Sequence, residues 1–148
     1  MTSEGYSTDA VAKITGGKFP YRVLMNFHPL RHILVDSRKL LDPASSLFIA
    51  LTGIRHNGHD YIGDLMKRGV THFIISEDRP AFRAMEASFI MVDDTLQALH
   101  DLASHHRRRF TYPVIGVTGS NGKTIVKEWL YQLMREDKNI VRSTKSFN

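Results

Sequence analysis

The stretch Val114-Ile-Gly-Val-Thr-Gly-Ser-Asn-Gly-Lys-Thr124 constrains this chain more than any other part of it. Its β-branched start, residues 114–117, predicts a buried parallel strand. Residues 118–122 predict a tight turn, and residues 125–134 a helix. Strand, glycine-rich turn and helix are the parts of a phosphate-binding loop. Gly119 and Gly122 leave no Cβ between the backbone and a phosphate. The N–H groups and dipole of a helix start favour an anion, and Lys123 adds a cation for the β/γ oxygens. Thr124 offers a hydroxyl to Mg²⁺. The spacing departs from G-x-x-x-x-G-K-[ST], because Val117 stands at the first glycine and the glycine falls at Gly119. A plain strand-to-helix turn would use the same Gly and Asn, yet it leaves Gly-Lys-Thr at a helix start unexplained.

Hydrophobic residues make up 42% and charged residues 24% of the 148, a balance ordinary for a globular protein. A net charge of +5 suits anionic substrates without singling out nucleic acid. The absence of cysteine excludes disulfides and thiolate metal sites. No apolar run reaches the ~18 residues of a membrane span. Thr2, Ser3 and Glu4 do not read as a signal peptide, so a cytoplasmic location is expected.

Taken in order, Ser7 or Thr8 is expected to cap a helix over residues 9–14 that Gly16-Gly17 ends. Short strands are expected within residues 18–27, and at 33–35, 47–51, 71–76 and 88–92. Helices are expected at 61–68, 80–85 and 94–109, the last carrying a stripe of Leu96, Leu99, Leu102 and Ala103. A further strand at 139–142 follows the phosphate-loop helix. The alternation predicts an α/β fold with a mainly parallel sheet. Tyr112-Pro113 breaks the chain, dividing it into residues 1–112 and residues 113–148.

Other features have plainer readings. The cations of residues 105–109 complement the end of a helix dipole, and no interleaved aromatics suggest base stacking. His56 and His59 flank Asn57-Gly58 with no cysteine and no carboxylate cluster beside them. A turn with a phosphate role is therefore expected there in preference to a metal site. Asp93-Asp94 reads as a helix cap. Trp129, at helical spacing with Val126 and Leu133, is expected in a core.

The loop Thr118-Gly-Ser-Asn-Gly-Lys-Thr124 resembles the ATP loop of the Mur ligases, the ATP-dependent amino-acid-adding enzymes of peptidoglycan synthesis. Val35-Asp-Ser-Arg38, Ser46-Leu-Phe-Ile-Ala-Leu51, Gly53, Asn57-Gly-His59 and Gly69 resemble the UDP-binding domain of the two later-acting members. The wording from Asp36 to Ser46 and from Gly119 to Trp129 is most similar to the member that adds D-alanyl-D-alanine, including forms fused to an alanine racemase. Ile125 stands where most relatives have a second Thr, and Ser146 where many have an Asn.

The resemblance implies an α/β UDP-substrate-binding domain at 1–112. The opening strand, loop, helix and strand of a central ATPase domain would follow at 113–148. Gly119, Ser120, Asn121, Gly122, Lys123 and Thr124 would bind ATP, with Lys123 and Thr124 catalytic and Thr124 on Mg²⁺. Ser37, Arg38, Arg55, His56, Asn57 and Asn148 would meet the UDP-N-acetylmuramoyl-peptide. The implied reaction activates the tripeptide carboxylate as an acyl phosphate for attack by D-alanyl-D-alanine, whose site would lie outside these residues. The chain alone is expected to be inactive, to bind neither nucleic acid nor membrane, and to self-associate through apolar surface. Two alternatives remain: the member adding lysine or diaminopimelate, and a stand-alone UDP-sugar-binding module with a vestigial loop.

Overall fold

The computed structural model describes residues 5–24, 28–54 and 56–143. The chain divides into two compact units, Met1–Phe110 and Thr111–Asn148.

The first unit is built on four parallel strands in the order β1-β2-β3-β4: β1 His32–Leu34, β2 Ser46–Ile49, β3 His72–Ile75 and β4 Ser88–Met91. Every residue of β2 and β3 is buried. Both are inner strands covered on both faces, which is why they read as unbroken apolar runs. Successive residues serve opposite faces. Phe48, Ala50, Phe73, Ile75 and Phe89 pack with Ile62 and Leu65 of helix α2 (Ile62–Lys67) and with Phe82. Leu47, Ile49, Ile74, Ile90 and Val92 meet Val11 and Ala12 of helix α1 (Thr8–Thr15) and Ala98 and Leu102 of helix α3 (Thr95–Arg108). Phe89 stacks between Phe73 and Phe82, with ring centroids 5.4 and 5.1 Å apart. Burying each such ring removes roughly 1.5–3 kcal/mol of hydrophobic cost.

Local signals set the helix ends as expected. Ser7 caps α1, accepting from the Ala10 N–H, and Gly16 closes it at φ 66°. Asp94 caps α3, accepting from the amides of Leu96 and Gln97. The α3 stripe is rotated from expectation. Thr95, Ala98 and Leu102 are buried, while Leu96 and Ala103 are exposed, because the small Thr95 and Ala98 lie on the side that packs against α1. The helix expected at 80–85 is a 3-10 turn, Pro80–Ala84. Lys18 makes one antiparallel bridge to Met91, but residues 19–24 form no strand. Residues 25–27 lie outside the described residues.

The second unit departs further. Its helix, α4 (Lys123–Met134), forms as expected. The described residues around it contain no strand, neither at 114–117 nor at 139–142. A β-branched run becomes a strand only against a hydrogen-bonding partner, and all the strands that pair lie between residues 32 and 91. Val114 and Ile115 are accordingly exposed. Trp129 and Leu133, expected in a core, are 63% and 77% exposed.

Candidate functional site

All four strands of the first unit run the same way, so their C-terminal ends share one rim, and polar segments follow three of them. After β1, Asp36 caps a 3-10 turn, Ser37–Lys39, by accepting from the Arg38 amide. Arg38 also closes a two-point pair on Asp36, Nε to Oδ1 and Nη2 to Oδ2, each 2.9 Å. The Arg38 hydrogen bonds hold the Asp36 carboxyl down at about 2. Arg38 remains largely exposed. Arg68, at the end of α2, donates to the Ser37 carbonyl at 2.7 Å. The Ser37–Arg38 turn is thereby tied to the α2 segment.

After β2 the chain makes an excursion over residues 52–59, pinched by an antiparallel bridge between Thr52 and Asn57. Gly58 sits on the end of β2. Its N–H donates to the Leu51 carbonyl at 2.8 Å, and a Cβ there would lie 2.7 Å from the Ala50 carbonyl carbon. Ile54 is fully exposed at the tip and His56 is exposed beside it.

His59 is different. It is 2% exposed, and its Nε2 accepts from the Ser76 N–H at 3.0 Å. Burial lowers its pKa against the opposing pull of Glu77. It is an internal strut of the turn, and the exposed His56 is the histidine that faces outward. Asn57 is also engaged: Oδ1 accepts from the His59 N–H and Nδ1, and Nδ2 donates to Glu77. Arg55 and Asn148 lie outside the described residues.

Glu77, Arg79 and Asp60 escape sequence reasoning. Arg79 donates Nε and Nη2 to Glu77 Oε2 at 3.0 and 2.8 Å, and Nη1 to Asp60 at 2.7 Å. Arg79, then Asn57, hold the Glu77 pKa down. The only signal was the charged run Glu77-Asp-Arg79 just after β3, which names no partner. Glu77 stands near His59, and among the described residues no group of three or more His, Asp and Glu could hold a metal ion.

In the second unit, Gly119 and Gly122 have φ of 148° and 77°, conformations that suit glycine. Gly122 is the N-cap of α4 and, lacking a side chain, makes no side-chain cap at the helix start. Lys123 Nζ reaches back to the Gly119 carbonyl at 2.6 Å. Ser120, Asn121 and Thr124 are exposed around it. The arrangement is a short, exposed glycine turn with a cation across it and a helix start at its end, which suits an anion.

Residues 29–107 match the Mur ligase family, catalytic domain, a span that ends before this loop. The UDP-N-acetylmuramoyl-tripeptide–D-alanyl-D-alanine ligase of Synechocystis sp. is 34% identical over 120 residues, 80% of this chain and 26% of that protein. The UDP-N-acetylmuramoyl-L-alanyl-D-glutamate–2,6-diaminopimelate ligase of Clostridioides difficile is 34% identical over 116 residues, 76% of this chain and 22% of that protein. Among solved structures, MurF from Acinetobacter baumannii superposes with a TM-score of 0.77 at 26% identity, over 90% of this chain and 28% of that one. The chain thus spans about a quarter of the length of the relatives it matches.

Proposed function

The chain belongs to the Mur ligase family, and we propose that it supplies the substrate-nucleotide rim and the ATP phosphate loop of a ligase adding D-alanyl-D-alanine to UDP-N-acetylmuramoyl-tripeptide. In this reading the enzyme works in the cytoplasm on peptidoglycan precursors, and catalysis needs the rest of the relatives' length. No helix among the described residues is long and apolar enough to cross a membrane.

The observation that carries the reading is the glycine–lysine loop at the start of α4. Gly119 and Gly122 adopt positive φ, the helix start lacks a side-chain cap, and Lys123 spans the loop. These residues fit a nucleotide triphosphate. The amides of residues 119–124 would bind and orient the β- and γ-phosphates, Lys123 would neutralise the charge that develops on the transferring group, and Thr124 would give Mg²⁺ one oxygen. When bound, ATP with Mg²⁺ supplies the phosphoryl group that activates the substrate carboxylate as an acyl phosphate for the incoming amine.

The rim of the first unit suits the UDP end of the substrate, since ligands of open α/β sheets bind outside the carboxyl ends of strands. Ser37 and the exposed turn amides would meet the uridine. Arg38 and His56 would meet the diphosphate, with Arg55 and Asn148 as further contacts. Asn57, with its amide committed to His59 and Glu77, would act by shaping the turn.

The equal identity to a diaminopimelate-adding relative favours a second reading, in which the third residue is added. Phosphate release by the complete protein separates the two. Release that needs the tripeptide substrate and D-alanyl-D-alanine supports the first reading. Release that needs the dipeptide substrate and a diamino acid replaces it with the second.

A further inference from the structure

We propose that Glu77 and Arg79 are positioning residues, clamping residues 57–60, where the turn after β2 ends, in the form that receives the substrate nucleotide. The inference rests on the reading of that turn as part of the UDP-binding rim.

The hydrogen bonds leave Asn57 and His59 little choice of conformation. The Ser76 N–H points its one proton at His59 Nε2, so Nε2 is unprotonated and the ring proton of neutral His59 sits on Nδ1. Nδ1–H then donates to Asn57 Oδ1 at 2.7 Å, beside the His59 N–H at 3.0 Å. Two donors on Oδ1 fix the orientation of the Asn57 amide, and its Nδ2 meets Glu77 Oε1 at 2.8 Å. Asn57 cannot swing toward a ligand without stranding a donor in a partly buried site.

Glu77 is held in turn by the Arg79 fork on its other oxygen, while the third Arg79 contact reaches Asp60. One loop after β3 therefore grips the chain on both sides of Gly58-His59, at Asn57 and at Asp60. Gly58 rests on the β2 backbone too closely for any Cβ, which fixes the third side. The clamp presents the tip, with Ile54 and His56 exposed and the Gly53 N–H turned inward onto the His56 carbonyl at 2.9 Å. Glu77 and Arg79 are themselves part-exposed and lie outside the main apolar clusters, so their contribution is to the shape of the turn more than to the core.

The test is calorimetric titration of the 148-residue chain with UDP, paired with its thermal midpoint. Glu77→Ala is expected to weaken UDP by about tenfold, the scale of one lost charge-assisted hydrogen bond, with the sheet still folded. Glu77→Gln, whose amide oxygen still accepts from Asn57, is expected to recover affinity to within about threefold of wild type. Arg79→Ala should fall between them, and Glu77→Ala/Arg79→Ala should be no worse than Glu77→Ala. Should Glu77→Ala not fold, Glu77→Gln against Arg79→Ala decides alone. UDP affinity unchanged in Glu77→Ala or Arg79→Ala overturns the clamp while leaving the nucleotide rim standing, as does a folded Glu77→Gln that binds as poorly as the alanine variant. A wild-type chain that does not bind UDP overturns the nucleotide rim and the clamp's purpose with it.

Discussion

Lys123 Nζ donates to the Gly119 carbonyl oxygen at 2.6 Å, closing the glycine-rich loop from the first turn of α4 back to its first positive-φ glycine. This contact places the cation against the loop whose amides are the proposed phosphate cradle. In the complete enzyme, Lys123→Ala is expected to lower turnover on the order of 10³-fold, the scale of other phosphate-clamping cations. The measurement is steady-state phosphate release at saturating ATP. Near-normal turnover in that variant would show that the catalytic phosphates sit elsewhere.

Two glycines in the first unit make a paired stability prediction. A Cβ on Gly58 would meet the backbone of Ala50 and Leu51 at 2.7 Å, and neither backbone can move without disturbing β2. Gly58→Ala should destabilise the unit by roughly 1–3 kcal/mol, as overpacking does. Gly63 lies inside α2 with nothing within 4 Å of a built Cβ. Gly63→Ala should stabilise by about 0.5–1 kcal/mol through helix propensity and the unfolded chain. Urea unfolding followed by circular dichroism reads both. Equal effects of the two substitutions would contradict the assigned environments.

Much of the first unit was legible because its signals are local. The runs at Leu47–Leu51 and His72–Ile75 are apolar without alternation, which is what an inner parallel strand needs. Ser7, Gly16 and Asp94 mark helix ends by chemistry within three or four residues. The failures are non-local. Residues 114–117 carry the same β-branched signal, yet whether a partner strand exists is written nowhere in those residues. The face of α3 depends on how closely α1 approaches, which favoured Thr95 and Ala98 over Leu96. At the rim, Ser37 and Arg38 stood out through a motif. Glu77 and Arg79 became visible only when folding brought them to Asn57 and Asp60, across 20 and 19 positions of sequence.

The second unit leaves Ile125, Trp129 and Leu133 of α4 exposed, together with Val114 and Ile115. Exposed apolar side chains on one short unit favour association at high concentration. The 148-residue chain is expected to show a concentration-dependent rise in mass by light scattering. Trp129→Glu/Leu133→Lys should suppress it without altering UDP affinity. A chain that stays monomeric across the concentration range, or a variant that associates equally, would remove these side chains as the cause.

Buried histidines set an acid limit on stability. His59 and His72 are each 2% exposed, and burial lowers the pKa of both below the ordinary 6.5. Protonating His59 would also place a proton on Nε2, against the Ser76 N–H. Glu77 and Asp60 face His59 with opposing charge and Arg79 with like charge, and burial outweighs the sum. His72 Nδ1 meets the Thr71 hydroxyl at 3.0 Å, but Nε2 has no hydrogen-bond partner among the described residues. Below pH 6.5 the unfolded chain therefore binds protons that the folded chain refuses. The stabilisation is complete above that pH and is lost as pH falls through the two folded-state values. The lowered carboxylates Asp36, Asp42, Glu77 and Asp78 act in the same direction, but only below their ordinary values of 3.8 and 4.5. Urea midpoints at about pH 7.5 and about pH 5 should thus isolate the histidines, with the lower pH less stable. His72→Leu, which also removes the unpaired Nε2, should flatten the dependence while keeping the strand. A midpoint independent of pH across that window would mean that neither histidine is held neutral by the fold.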